Sequence, residues 1–332
     1  MRYCKRASQA GLAPDHEKEF PVPHIILRLT LALITVLALS ACSKQSIYDS
    51  AIGWERSAAG LEPAQLDLGE LTIAYLRNAE PVNGDTLVLV HGFGANKDNW
   101  TRLAGELSGD FNILAIDLPG HGDSSKPLDI GYGFEDQVGY LNQILDHLEI
   151  TDAHMMGNSM GGAITALYAA TYPEQIRTAT LLNPAGILEY RSELVGLVLD
   201  GDNPLIPSEE GDFDRLLDFA LEERPFVPWP ILDVMEQKAI ANQDVNKLMF
   251  AAIRQESQEP EFRSAITRIK APTLVVWGKL DRVIDYRNAD VFVELIPGAE
   301  KVILDNIGHA PMVESPEQTA RLFRDFVQRR TR

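Results

Sequence analysis

The sequence predicts an α/β chain: a mostly parallel central sheet with helices on both faces and an inserted helical cap. Three observations carry that prediction. From residue 71 onward, short runs of Leu, Val and Ile alternate with segments that are apolar every three or four residues. The short runs are apolar throughout, as strands covered on both faces are, without the polar alternation of a half-exposed sheet. Between residues 186 and 268 the strand pattern lapses, and helical periodicity with proline-rich joints takes over.

The elements follow in order. After Arg28 comes LTLALITVLALSA, thirteen uncharged residues, the length of a signal-peptide apolar region and too short to span a bilayer. It runs into Leu39-Ser40-Ala41-Cys42, which resembles the lipobox of bacterial lipoproteins, where cleavage precedes a cysteine that becomes lipidated. An ordinary cleaved signal is the alternative. The resemblance implies a signal peptide over 1–41, a lipid anchor on Cys42, and a location in the bacterial cell envelope. Ser43 after the cysteine points to the outer membrane. Of the two cysteines, Cys4 would leave with the leader and Cys42 would be modified, so no disulfide is expected. Residues 42–68 read as a membrane tether. Within it Ile47, Ala51, Trp54, Ala58 and Leu61 fall on one helical stripe. With only Lys44 and Arg56 as cations there, that stripe is expected on the protein body more than on lipid.

The body is expected over 69–185 and 269–332. LTIAYL, TLVLV, FNILAI, AHMMG, RTATLLN, TLVVWG and KVILD read as strands. NWTRLAGEL, FEDQVGYLNQILDHL, GAITALYAATY, YRNADVFVEL and SPEQTARLFRDFVQ read as the helices between and after them. The cap, 186–268, contains FDRLLDFAL, PILDVMEQKAI and VNKLMFAAI. The formal net charge of −18 repels phosphate backbones and argues against nucleic acid as a partner.

Chemistry concentrates at four strand ends. GNSMGG, 157–162, puts Ser159 between glycines on a strand-to-helix turn, where a hydroxyl can stand clear of the sheet edge. A serine hydroxyl needs a base, and His309 lies in a loop after the last strand. A carboxylate must orient that imidazole. The stretch WGKLDRVID offers Asp281 and Asp285, with Asp281 favoured by its place directly after the strand. The loop HGFGANKDNW supplies an oxyanion donor in the backbone N–H of Phe93, paired with that of Met160 beside the serine. His91 reads as a loop-ordering residue.

Together these residues, with DLPGHGDSS at 117–125, resemble the α/β-hydrolase family over about residues 70–330. HGFGANKDNW and GNSMGG are most similar to family V bacterial lipases and membrane-anchored monoacylglycerol lipases. The resemblance implies the α/β-hydrolase fold and a serine esterase or lipase that acts on a small ester or a monoacylglycerol without a cofactor or metal. GNSMGG also resembles the elbow of C–C bond hydrolases, whose acidic substrates need cations; Arg191, Arg215 and Arg224 are the cap's candidates. A ligand-binding protein on the same fold is the third reading. In the cap, RPFVPWPILDVM carries Phe226, Trp229, Ile231, Leu232 and Met235, stiffened by three prolines. Those five residues are expected to wall an acyl pocket.

Overall fold

The computed structural model describes residues 43–330 apart from 258 and 259, and the chain from Gln45 onward forms one compact unit. The expected signal peptide and Cys42 lie outside the described residues. No helix among the described residues is long and apolar enough to cross a membrane.

Eight strands form one sheet: β1 (Leu61–Asp67), β2 (Thr72–Asn78), β3 (Thr86–Val90), β4 (Asn112–Ile116), β5 (Ala153–Asn158), β6 (Ile176–Leu182), β7 (Thr273–Gly278) and β8 (Glu300–Leu304). Their spatial order is β1-β2-β4-β3-β5-β6-β7-β8. The first two strands run antiparallel to their neighbours, and every later pairing is parallel.

The unbroken apolar runs serve two cores at once. Val88, Val90, Leu114, Ile116, Met155, Val275 and Trp277 point into one. Their immediate neighbours Leu87, Leu89, Ile113, Ala115, Met156, Leu274 and Val276 point into the other. The first core is covered by α3 (Phe134–His147), α4 (Met160–Thr171) and α10 (Asn288–Leu295). The second is covered by α2 (Thr101–Leu107) and α12 (Pro316–Arg330). Two-sided burial is the reason a polar residue rarely interrupts these strands.

The segment read as a tether is built differently. Residues 43–58 form helix α1, and 61–67 are the antiparallel edge strand β1, paired from Leu61↔Asn78 to Asp67↔Thr72. Helix α1 does dock on the body, but through another face than its apolar stripe. Tyr48 is buried beneath the Lys238 ammonium, 4.3 Å from its ring centre, and Arg56 pairs with Asp98 at 2.6 Å. Ile47 and Trp54 face outward, Trp54 at 71% exposure. Specific polar partners, which spacing alone cannot reveal, set the rotation of this helix.

Between β6 and β7 lie α5 (Glu193–Leu199), α6 (Asp212–Ala220), α7 (Ile231–Ala241), α8 (Gln243–Glu256) and α9 (Pro260–Ile266), with no strand among the described residues. Helix α9 belongs to the body. Its Phe262 is buried with ring centres 5.9 Å from Phe134 and 6.2 Å from Phe292. The insertion therefore gives way to the body before α9, earlier than residue 268.

Candidate active site

Ser159 stands between β5 and α4 with φ 56° and ψ −118°, a backbone conformation that L-residues avoid. Such a residue costs about 1–3 kcal/mol and persists only where its surroundings impose it. Here they do. The Ser159 N–H donates to Leu182 O at 2.9 Å, and its carbonyl accepts the N–H of Ala163 at 3.1 Å and of Ala185 at 2.9 Å. A side chain at Gly157 would overlap the carbonyl of Gly161, and one at Gly161 would overlap those of Val90 and His91. The two glycines are thus required by close approach and not by turn propensity alone.

His309 follows β8 in a loop that closes with the short helix α11 (Pro311–Glu314). Its Nδ1 donates to Asp281 Oδ2 at 2.8 Å, which leaves Nε2 as the free face of the ring. The backbone of the loop is fixed from several sides. Asn158 Nδ2, one residue before the serine, donates to His309 O at 3.0 Å. His309 N–H donates to Ala220 O at 2.9 Å, at the end of α6 in the insertion. Among the described residues no hydrogen bond joins Ser159 Oγ to His309; catalytic contacts of this kind are often long without substrate.

Asp281 is buried and accepts five hydrogen bonds. Oδ1 takes the N–H of Val283 at 2.8 Å and of Ile284 at 3.0 Å. Oδ2 takes Asn183 Nδ2 at 2.7 Å, Trp277 Nε1 at 3.1 Å and His309 Nδ1. Asp285 lies elsewhere: Arg287 grips it through Nε at 2.9 Å and Nη2 at 2.7 Å, and that guanidinium holds its carboxyl below the ordinary value.

Two positioning residues were not legible as such. Asn183, directly after β6 at φ 47°, bridges Asp281 to the carbonyl of Gly308 at 3.1 Å. Glu314 gathers four N–H groups, those of Gly308, Ala310, Glu222 and Glu223, all at 2.9–3.1 Å. An asparagine after a strand and a glutamate in a short helix carry no local signature of such work. His91 orders its loop as expected. Its Nδ1 donates to Gly92 O at 2.8 Å, its Nε2 accepts from Leu118 N–H at 3.1 Å, and burial holds the ring neutral.

A cavity of about 170 Å³ opens beside the serine, below the ~300–1,000 Å³ of a drug-sized site. Phe93, Ser159 and Met160 line one side. The wall is made by Leu194 and Val198 of α5, Leu205, and Phe250 and Ile253 of α8. Met160 lines the cavity and is the first residue of α4, so its N–H has no partner within the helix. The expected wall is not there. Phe226, Trp229, Ile231, Leu232 and Met235 do not line this cavity; Phe226 is 86% and Trp229 73% exposed. This stretch turns Phe226 and Trp229 to the outside of the insertion, and α5 and α8 supply the apolar wall in its place. Arg215 and Arg224 are spent on Asp202 and on Asp214 and Asp218, and neither they nor Arg191 reach the cavity. Arg254, not singled out from the sequence, does line it. Among the described residues no group of three His, Cys, Asp or Glu side chains could hold a metal ion.

A hydroxyl on a strained elbow, an imidazole held by a buried carboxylate and unspent helix N–H groups together can carry out acyl transfer. Known proteins resemble this chain in sequence and fold. A family model described as alpha/beta hydrolase fold matches residues 85–224. Lipase 3 of a Moraxella species is 33% identical over 91% of this chain and 98% of its own length. The chain belongs to the α/β-hydrolase family. Among relatives of this α/β hydrolase, a human monoacylglycerol lipase is 28% identical over 82% of the chain and 84% of its own length. The crystal structure of a membrane phospholipase A superposes with a TM-score of 0.84 at 37% identity, covering 91% of this chain and 98% of that one. A 2-hydroxy-6-oxo-6-phenylhexa-2,4-dienoate hydrolase from a Rhodococcus strain, at 22% identity and TM-score 0.68, shares the fold.

Proposed function

We propose that this α/β hydrolase is a serine carboxylic-ester hydrolase that works through an acyl-enzyme on Ser159. The carrying observation is the Asp281–His309 hydrogen bond of 2.8 Å tied through Asn158 to a serine held at φ 56°. Ester hydrolysis is also what the named lipase relatives perform. His309 takes the proton of Ser159 as the hydroxyl attacks the ester carbonyl, and Asp281 holds the imidazole in the required tautomer and offsets its charge. The N–H groups of Phe93 and Met160 receive the oxyanion. His309 then protonates the leaving alcohol, and a water activated by the same ring releases the acid.

The substrate reading is an ester with a short-to-medium acyl chain, a monoacylglycerol included. The small apolar cavity and the monoacylglycerol lipase relatives support it. A C–C hydrolase acting on a diketone acid would need a cation; Arg254 is the side chain that could serve, so a ring-fission acid belongs in the substrate panel. The decisive experiment combines fluorophosphonate labelling with Ser159→Ala. Rapid labelling of the wild type and none of the variant supports the reading; labelling elsewhere, or ester turnover by the variant, defeats it.

The lipobox tetrapeptide supports a second proposal, that Cys42 carries a lipid anchor in the bacterial cell envelope. Several acyl chains hold a protein firmly where one does so marginally. Cys42→Ser should shift the protein from the membrane to the soluble fraction or leave it unprocessed. Wild-type protein recovered soluble with an unmodified N-terminus would end that proposal.

A further inference from the structure

Lys97 takes no part in the chemistry above, yet its side chain is among the most deeply buried in the protein. Its Nζ donates to Asp117 Oδ2 at 2.7 Å and to Asp123 Oδ2 at 2.6 Å, and its backbone N–H donates to Asp117 Oδ1 at 2.6 Å. Asp117 sits fully buried just past β4 and also accepts the Asp123 N–H at 2.8 Å. Burial pulls the Lys97 pKa down, but Asp117, Asp98 and Asp123 together lift it above the ordinary value, so the group is an ammonium.

The position of this cluster matters more than its strength. Lys97 lies four residues after Phe93 in the loop HGFGANK. The other end of that loop is held to the same partner segment by His91 Nε2 and the Leu118 N–H. The loop is thus clamped at residues 91 and 97 to residues 117–123. Its start, just before Phe93, lies so close to the elbow that a Cβ on Gly92 would lie 3.2 Å from that of Ser159. The cluster also reaches the surface. Arg56 of α1 donates to both oxygens of Asp98, at 2.6 and 2.8 Å, and lies 3.8 Å from Asp123. A buried ion cluster is weak evidence of stabilisation, and in some proteins such groups fix a position instead.

We propose that Lys97 is a positioning residue that sets the Phe93 N–H over Ser159, with Arg56 as the outer end of the same clamp, so that helix α1 bears on the hydrolytic rate. The proposal rests on the reading of Phe93 as an oxyanion donor. Oxyanion donors act on charge that develops only in the transition state. Slack in this loop therefore lowers kcat and leaves KM nearly alone.

The test uses Arg56→Gln, Asp98→Asn, Lys97→Met and Lys97→Arg in the full chain, with Arg77→Gln as control. Arg77 loses an exposed ion pair, to Glu62 at 2.8 Å, between β2 and β1. Active enzyme is titrated with a fluorophosphonate. Then kcat and KM are measured on p-nitrophenyl butyrate, and Ki for a trifluoromethyl ketone, which mimics the tetrahedral adduct. Complete loss of one oxyanion donor costs about 10²–10³ in kcat, so about tenfold is expected for Arg56→Gln and Asp98→Asn and about a hundredfold for whatever Lys97→Met folds. The ketone Ki should rise in step, KM should stay within about twofold, and Lys97→Arg should recover part of the loss. If Lys97→Met does not fold, the two surface variants carry the test. Wild-type kcat and Ki in both of them would overturn the proposal, as would a fall in kcat with an unchanged Ki. A wild type that the fluorophosphonate does not label would instead defeat the ester-hydrolase reading, and this proposal with it.

Discussion

At the residue scale, the assignment separates two neighbouring carboxylates by environment. Asp281 accepts five hydrogen bonds in a buried site, whereas Asp285 is paired with Arg287 at the surface. Asp281→Asn should reduce kcat by orders of magnitude, about 10⁴ in a serine-protease triad. Asp285→Asn should cost little. Equal losses, measured as kcat/KM on one ester, would move the orienting role away from Asp281. Ser159→Ala should leave no more than the residual of an oxyanion hole and binding, well under about a hundredth of wild-type kcat. Asn183→Asp would set a second carboxylate 2.7 Å from Asp281 and unfasten Gly308. It is expected to depress kcat with the chain still folded, a loss that Asn183→Gln should not reproduce in full. The Ser159 elbow and the Asp281–His309 pair were legible in the sequence because each of these residues follows a recognisable strand with a glycine within three positions. Asn183 could not: its work depends on distances to residues about a hundred positions away, and nothing in its own surroundings records them.

At the element scale, the reading of the sheet from β2 to β8 matches the structure because two-sided burial writes itself as uninterrupted Val, Leu and Ile. Edge strand β1 escaped notice. It carries Pro63, tolerated only where no inner neighbour needs the missing N–H, and its burial alternates in LEPAQLD too weakly to stand out. The insertion was legible as helical but not in its facing. Large apolar side chains in RPFVPWP suggested a pocket wall, and the structure turns Phe226 and Trp229 outward and gives the cavity to α5 and α8. Trp229→Ala should therefore leave the acyl-chain-length profile as it is. Val198→Trp, filling the cavity from α5, should shift the optimum to shorter acyl groups, each lost methylene contact being worth up to about 0.8 kcal/mol. A panel of p-nitrophenyl esters from acetate to laurate reads this directly; a profile moved by Trp229→Ala and not by Val198→Trp would return the pocket to the proline-rich stretch.

At the scale of the whole molecule, the insertion is pinned to the body at two ends by carboxylates. Glu256, at the end of α8, accepts the N–H of Phe134 at the start of α3. Burial raises its pKa above the ordinary 4.5, with help from the nearby charges of Glu135 and Asp136 and against its own backbone hydrogen bonds. The folded protein then binds that proton more tightly than the unfolded chain. Stability from this group accordingly falls as pH rises from about 4.5 through the raised value, and the penalty persists above it. Glu256→Gln keeps an acceptor for Phe134 and should match or exceed wild-type thermal stability at pH 7, with the difference shrinking towards pH 4. A variant less stable at pH 7 than at pH 4, relative to wild type, would show that the ionised carboxylate is a net asset.

The other pin, Glu314, has a consequence for the enzyme as a machine. Its carboxylate holds Gly308 and Ala310, on either side of His309, and in the same grip holds Glu222 and Glu223, where the insertion leaves α6. The chain just after α6 and the loop that carries His309 thus share this carboxylate as a bracket, alongside the bond from His309 N–H to Ala220 O. With His309 as the proposed base, an insertion that lifted at this end would carry it out of register with Ser159, so opening and turnover are expected to exclude each other there. Substrate is then expected to enter with the insertion seated. The rate should accordingly climb smoothly as an ester passes its solubility limit, without the jump shown by enzymes that an oil–water interface must first prise open. Glu314→Gln, which weakens the bracket, should lower turnover on dissolved and dispersed substrate alike.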